Sequence, residues 1–199
     1  MVLKRDRFTE SAQEVLGNSQ DLVRRYRHPQ WDLEHLFMAL LDQTGGVPGQ
    51  ILEKLSIDIR IMKLKLTESL ERAPRLQYET REIYQTPRSA RVLENAEAEA
   101  GRLKDEYIGT EHLFIAITQE RTGESAQILR ESNIDTEQVY KALIEIRGTQ
   151  RVTDPRSDNL YRSLERFAVD LNALARAGRL DPVVGRDDEI KRVIQTISR

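Results

Sequence analysis

Three histidines, His28, His35 and His112, are the side chains of this sequence best suited to moving protons or holding a metal near neutral pH. His35 and His112 each follow an acidic residue, in Glu34-His35-Leu36-Phe37 and Glu111-His112-Leu113-Phe114. A zinc-type site needs three or four ligands converging on one point, and cysteine is absent, so no metal site is expected. Each repeated histidine is expected instead to hydrogen-bond a neighbouring turn at a helix start, and it appears twice because its surroundings do. No serine stands in a nucleophile-elbow spacing and no carboxylate pair separates itself from the general charge, so no catalytic residue is assigned. A Gly-x-x-x-x-Gly-Lys-Ser/Thr loop is missing, and with it the cradle, lysine and hydroxyl that hold phosphate and magnesium. The chain itself is expected to carry no cofactor and to hydrolyse no ATP.

The element that positions these residues is a duplication. A shift of 77 residues aligns Thr9–Leu66 with Thr86–Leu143 without a gap, and 17 of the 58 pairs are identical, the self-similarity expected of repeat architectures. Val15-Leu16 returns as Val92-Leu93, Gln50-Ile51-Leu52 as Gln127-Ile128-Leu129, and Ile57-Asp58 as Ile134-Asp135. Each copy reads as four helices, because its apolar residues follow the 3.6 period and nothing alternates as a strand would. In the first copy the stripes are Phe8, Ala12, Val15, Leu16, Leu22, Val23 and Tyr26, ended by Pro29; then Leu33, Leu36, Phe37, Leu40 and Leu41 behind an Asp32 cap; then Ile51, Leu52 and Leu55 after the Gly45-Gly46 break; then Ile59, Met62, Leu66 and Leu70 behind Asp58. The second copy repeats them with Val92, Leu93, Ala96 and Leu103; Leu113, Phe114 and Ile117; Ile128 and Leu129; and Val139, Leu143 and Ile146.

The expected fold class is therefore all-α, a tandem pseudo-twofold repeat of two four-helix units. Repeat 1 covers about residues 8–72 and repeat 2 about 86–147 within a domain at 1–147. One unit of this size buries only a modest core, so the two should share an interface. The connector from Pro74 to Gln85 holds Tyr78, Ile83 and Tyr84, which are expected to lie across that joint. Leu36, Phe37, Leu113 and Phe114 could line a groove, but residues on a periodic face are usually core.

With 31 basic residues against 33 acidic ones, interspersed, the net charge of −2 leaves no footprint for nucleic acid. No apolar run reaches the 18–20 residues or so of a membrane span, and the charged start Met1–Arg7 lacks a signal-peptide core, so a cytoplasmic protein without membrane contact is expected. Past Ile146 the turn-forming segment at 148–158 reads as a linker. A helix with Leu160, Leu164, Phe167, Ala168, Leu171, Leu174 and Ala175 on one side follows, stopped at Gly178. Then comes Leu180-Asp181-Pro182-Val183-Val184-Gly185-Arg186 and a last helix from Asp187 with Ile190, Val193, Ile194 and Ile197 inward.

At these residues the sequence resembles a known family. The paired repeats look like the N-terminal repeats of Clp ATPases, and Leu180 through Ile190 looks like the start of their first AAA+ module, so residues 159–199 are expected to open that nucleotide-binding domain and to stop before its Walker A loop. Ile146-Arg147-Gly148 through Gln150-Arg151-Val152-Thr153 and the helix to Gly178 are similar to the ClpB branch. The resemblance implies a parent that is an ATP-driven homohexamer using ATP and magnesium, threading aggregated proteins with the DnaK chaperone system, with the present chain itself a monomer. It implies that Val183 and Val184 lie along the adenine in that full-length protein; the plain alternative is that Pro182 and Gly185 only shape a tight turn.

Pseudo-symmetry should bring the first-helix start near Thr9 toward the second copy's junction, Asp105-Glu106-Tyr107-Ile108-Gly109-Thr110-Glu111. Thr9, Asp105 and Glu111 are the candidate client-binding residues, around a shallow apolar cleft with acidic rims for extended, basic segments of unfolded proteins. The alternative at Asp105 and Glu111 is helix capping. Three functions compete: a client-docking domain of a disaggregase, an adaptor-binding domain of a proteolytic ClpC- or ClpA-like unfoldase, and a motor-free helical scaffold. A Walker A loop soon after Arg199 would exclude the third, and a later coiled-coil insertion would favour the first.

Overall fold

The computed structural model describes residues 5–77, 83–148, 150–156, 171–176, 178–179 and 185–197. Repeat 1 forms α1 (Glu10–Tyr26), α2 (Leu33–Asp42), α3 (Val47–Lys54) and α4 (Ile59–Arg72); repeat 2 forms α5 (Pro87–Leu103), α6 (Thr110–Thr118), α7 (Gly123–Glu131) and α8 (Thr136–Arg147). The chain divides into two compact units, 1–161 and 162–199. Of the second, α9 (Leu171–Arg176) and α10 (Asp187–Ile197) are described. Tyr78 and the residues Leu160, Leu164, Phe167, Ala168, Pro182, Val183 and Val184 lie outside the described residues.

Duplication shows in the caps as well as in the stripes. Thr9 Oγ1 accepts from Ala12 N–H and Thr86 Oγ1 from Ser89 N–H, each meeting one of the free donors of a helix start. Arg27 and Lys104 end α1 and α5 in the left-handed region, at φ 57° and 59°, and Ser56 and Asn133 do the same after α3 and α7, at 59° and 53°. At α1 the following His28 N–H bonds the Val23 carbonyl, a Schellman-type closure. This stops the helix at Tyr26, earlier than Pro29 alone would. Asp32 and Asp58 cap α2 and α4, as their positions ahead of the apolar stripes suggest.

The class is all-α, with two small departures from a reading without strands. Two-residue strands β1 (Gln30–Trp31) and β2 (Tyr84–Gln85) pair in parallel, and Phe8 forms a matching bridge with Ile108 rather than joining α1. Strands this short have no alternation to betray them. The two bridges are related by the same 77-residue shift, since Trp31 and Ile108 correspond, as do Phe8 and Gln85. Thr86 N–H donates to the Trp31 carbonyl and Thr9 N–H to the Ile108 carbonyl, both at 3.0 Å. The start of each repeat is thus stitched to the helix junction of the other, through Tyr84 in one case. The core is shared in the same way: α2 and α6 meet at the centre, with Phe37 and Phe114 fully buried and their rings 6.1 Å apart. Leu36, Phe37, Leu113 and Phe114 are core.

The segment at 148–158, read as a linker, has no regular structure where it is described, but it does not run free: Val152 is fully buried and Pro155 accepts from Glu10 N–H.

Candidate functional site

The joint between the repeats gathers the polar residues singled out above. In repeat 1, His35 Nδ1 accepts from the backbone N–H of Asp32, closing the turn at the start of α2. In repeat 2, His112 Nδ1 accepts from Gly109 N–H at 2.8 Å. That fixes each proton on Nε2. His112 Nε2 then donates to Asp105 Oδ2 at 2.9 Å, and His35 Nε2 to His28 Nδ1 at 2.7 Å. His28 is the residue that corresponds to Asp105 under the repeat, so the same helix-capping histidine meets a carboxylate in one copy and an imidazole in the other. Burial, and then the neighbouring His28, hold His35 down at about 4, and burial lowers His28 too. Burial pushes the Asp105 carboxyl up, but hydrogen bonds from His112, Arg147 and the Val152 N–H outweigh it and leave the group at about 2.

The repeated glutamates differ even more. Glu34 accepts from Arg88 of the other repeat at 2.8 Å and from both the N–H and the hydroxyl of Ser125, at 3.2 and 3.1 Å. Arg88 also reaches Asp32 at 2.9 Å and donates to the Thr122 carbonyl. Burial works against the guanidinium charge, but Asp32 and Glu34 more than restore it. Gly123, at φ 86°, clears the way: a Cβ there would lie 1.5 Å from Arg88. Glu111 is fully buried with neither oxygen hydrogen-bonded. Its counterparts to Arg88 and Ser125 are Ser11 and Pro48, which offer no guanidinium, and no N–H or hydroxyl at the proline. A cleft of about 160 Å³ opens beside the His28–His35 pair, lined also by Asp32, Glu34, Ser69 and Thr86.

Residues 7–132 match the Clp repeat (R) N-terminal domain. The chain belongs to this family. Over 96% of its length it is 37% identical to the chaperone protein ClpB of Bdellovibrio bacteriovorus, and over 98% it is 37% identical to chaperone protein ClpB 1 of a Nostoc species. It spans 22% of the length of each. The fold is shared with the Hsp104 N-terminal domain from Candida albicans, at a TM-score of 0.65 and 20% identity, covering 76% of this chain and 98% of that one. It is shared also with the N-terminal domain of the ClpD chaperone from Arabidopsis thaliana, at 0.54 and 19%, covering 73% and 96%.

In this Clp N-terminal repeat domain the three candidate client residues come together but none stands at a surface. Thr9, Asp105 and Glu111 are 0%, 9% and 0% exposed. An acidic rim was the expectation for Asp105 and Glu111; the structure places both beneath the joint, because Asp105 is drawn in by three donors and Glu111 starts the central helix α6. Thr9 is spent on capping α1. The residues that sequence reasoning passed over are Arg88, Ser125 and Val152. Their signal was present as departures from the repeat: an identical glutamate pair whose surroundings, Arg88 against Ser11 and Ser125 against Pro48, are not identical. Among the described residues no group of three His, Cys, Asp or Glu is arranged for a metal, and no helix is long and apolar enough to cross a membrane.

Proposed function

We propose that this chain is the client-docking region of an ATP-dependent chaperone of the ClpB kind, which remodels and disaggregates denatured proteins in the cytoplasm. The observation that supports the reading is the similarity to ClpB chaperones along 96% of the chain, extending well past the 7–132 match to the Clp repeat domain. In this reading the parent is a homohexamer that draws on ATP, magnesium and the DnaK system, and Val183 and Val184 border the adenine in its first nucleotide site. The repeat domain contributes contact with the polypeptide to be remodelled.

Within the domain, Glu111 is the residue of the three that retains unused bonding capacity. A carboxyl buried with no donor is costly, and a lysine or arginine of an unfolded segment is the group that would relieve it. Because Glu111 is covered, such contact needs the joint to part. Thr9 and Asp105 then act beneath the client, as cap and anchor. The adaptor-binding role of a proteolytic Clp unfoldase remains the alternative, favoured only by the shared fold with the ClpD domain.

Full-length protein with and without residues 1–147 should be compared in recovery of a heat-aggregated reporter, with ATP and the DnaK system, alongside its basal ATPase rate. Loss of recovery with ATPase retained is the expected result. Equal recovery by both forms, or recovery replaced by degradation when a peptidase partner is added, would overturn the reading.

A further inference from the structure

The chain does not leave the repeat domain at the end of α8. Gly148, at φ 60° and ψ −128°, turns it back in a conformation that a side chain would strain, and residues 150–156 lie against the α5–α6 junction and the start of α1. Val152 is the anchor. Its side chain is in the shared core, its N–H donates to Asp105 Oδ1 at 2.8 Å, and its carbonyl accepts from Glu106 N–H at 2.9 Å and Tyr107 N–H at 3.3 Å. Farther along, the Pro155 carbonyl accepts from Glu10 N–H at 2.8 Å, satisfying a free donor of α1, and Arg156 Nε reaches Glu10 Oε1 at 3.0 Å. Arg147 holds the bend from the other side, donating to Asp105 Oδ1 and to the Gln150 carbonyl.

Apart from the two bonds made with Glu10 and the one to Gln150, each of these involves Asp105, its neighbours in sequence or the residue they grip. Gln150, Arg151, Thr153, Asp154 and Arg156 are exposed and Pro155 is half-buried, so Val152 is the one fully buried side chain among the described residues 150–156. Openings that sever so little cost far less than unfolding the domain. Nor is the arrangement inherited from the duplicated scaffold: the positions of Asp105, Arg147 and Val152 are occupied in repeat 1 by His28, Leu70 and Arg75.

We propose that residues 150–156 are a releasable strap and that Asp105 is its latch, giving the domain a short-tether state with the strap seated and a long-tether state with it free. Release moves the exit of the chain from beside Glu10 to the end of α8, and adds up to roughly 23 Å of reach at full extension of the freed residues. Asp105 is thereby a positioning residue for the tether, which accounts for a buried carboxylate that touches no solvent.

Amide hydrogen exchange on the full chain tests this, with trypsin cleavage after Arg151 as a second readout. In the wild type the amides of Glu10, Glu106, Tyr107 and Val152 should exchange at least tenfold faster than core amides such as Leu113 and Val92, because the strap opens while the domain stays folded. Asp105→Asn and Val152→Asp should each raise exchange at Glu10, Glu106 and Tyr107 a further tenfold and speed the cleavage, with Leu113 and Val92 unchanged. The second variant leaves the latch residue intact and attacks the strap alone, so it holds even where the first loosens the fold. Exchange of the strap amides only together with the core, or undiminished protection of Glu106 and Tyr107 in Val152→Asp, would overturn the proposal.

Discussion

His28 Nδ1 stands 2.7 Å from His35 Nε2, and a single proton lies between them. His35 supplies it, since its Nδ1 is engaged by the Asp32 N–H; the proton of His28 is then on Nε2, where the Leu70 carbonyl favours it though no bond of normal geometry forms. A second proton on the pair would set two donors face to face beneath the domain surface. Tyr26 stacks on His28, Arg75 adds positive charge, and Asp32 and Glu34 pull the other way on His35.

The consequence is a defined loss of stability in acid. His35 at about 4 lies below its ordinary 6.5, and His28 is lowered as well. The unfolded chain therefore takes up these protons first as the pH falls, so their contribution is complete above 6.5 and is lost as the pH drops toward 4. Melting temperature should be level above neutrality and fall through that window. In His35→Gln, which keeps a side chain able to accept from Asp32 N–H in the capping box, the fall should be markedly shallower. An unaltered slope would locate the acid sensitivity elsewhere.

The pairing of His35 with His112 also shows how far the sequence could be read. Helices, caps and the doubled unit were legible because periodic burial and Asp caps are local, and the expectation that each repeated histidine closes a helix-start turn holds for both. The joint was legible in outline: Thr9 does meet Ile108. Depth was not. Whether an aspartate caps at the surface or is pulled inside depends on donors 42 and 47 residues away, Arg147 and Val152, which no local pattern announces. The same holds for Arg88, whose carboxylate partners lie in the other repeat.

Arg88 should be the most consequential surface-adjacent residue for stability. It joins Asp32, Glu34 and Thr122 in one fork. Its removal strands a buried Glu34, and Arg88→Ala should cost about 2–3 kcal/mol, somewhat less than the ~3–5 kcal/mol of a fully enclosed pair. Arg88→Lys should recover only part of this, because an ammonium cannot serve three directions in one plane. Chemical denaturation of both variants decides the matter; equal stability of the two would mean that charge alone suffices.

At the centre, the Phe37–Phe114 contact predicts strong and non-additive losses. Phe37→Ala removes a ring with no exposed surface and should cost about 3–5 kcal/mol. The two rings lie 6.1 Å apart and share one cavity when both are cut, so the double alanine variant should lose less than the sum of the singles. Strict additivity in a double-mutant cycle would show that the two halves of the core are energetically separate.

Glu34 and Glu111 offer the sharpest comparison, because the repeat gives them the same residue and the fold gives them opposite circumstances. Glu34→Gln breaks a charge pair with Arg88 and should lower stability by about 1.5–3 kcal/mol, the range for hydrogen bonds to charged groups. Glu111→Gln removes no bond, since neither oxygen has a donor, and by neutralising a costly buried carboxyl it should hold or raise the melting temperature. Binding should reverse the order. If a basic side chain of an unfolded polypeptide is what Glu111 awaits, Glu111→Gln should weaken capture of a basic, permanently unfolded probe such as reduced, carboxamidomethylated lysozyme by about tenfold, equivalent to ~1.4 kcal/mol, while Glu34→Gln leaves it unchanged at a temperature where both are folded. Weakening by Glu34→Gln alone would assign the contact to the cleft beside His28 instead, and a large loss of stability in Glu111→Gln would reveal a structural partner for that carboxyl.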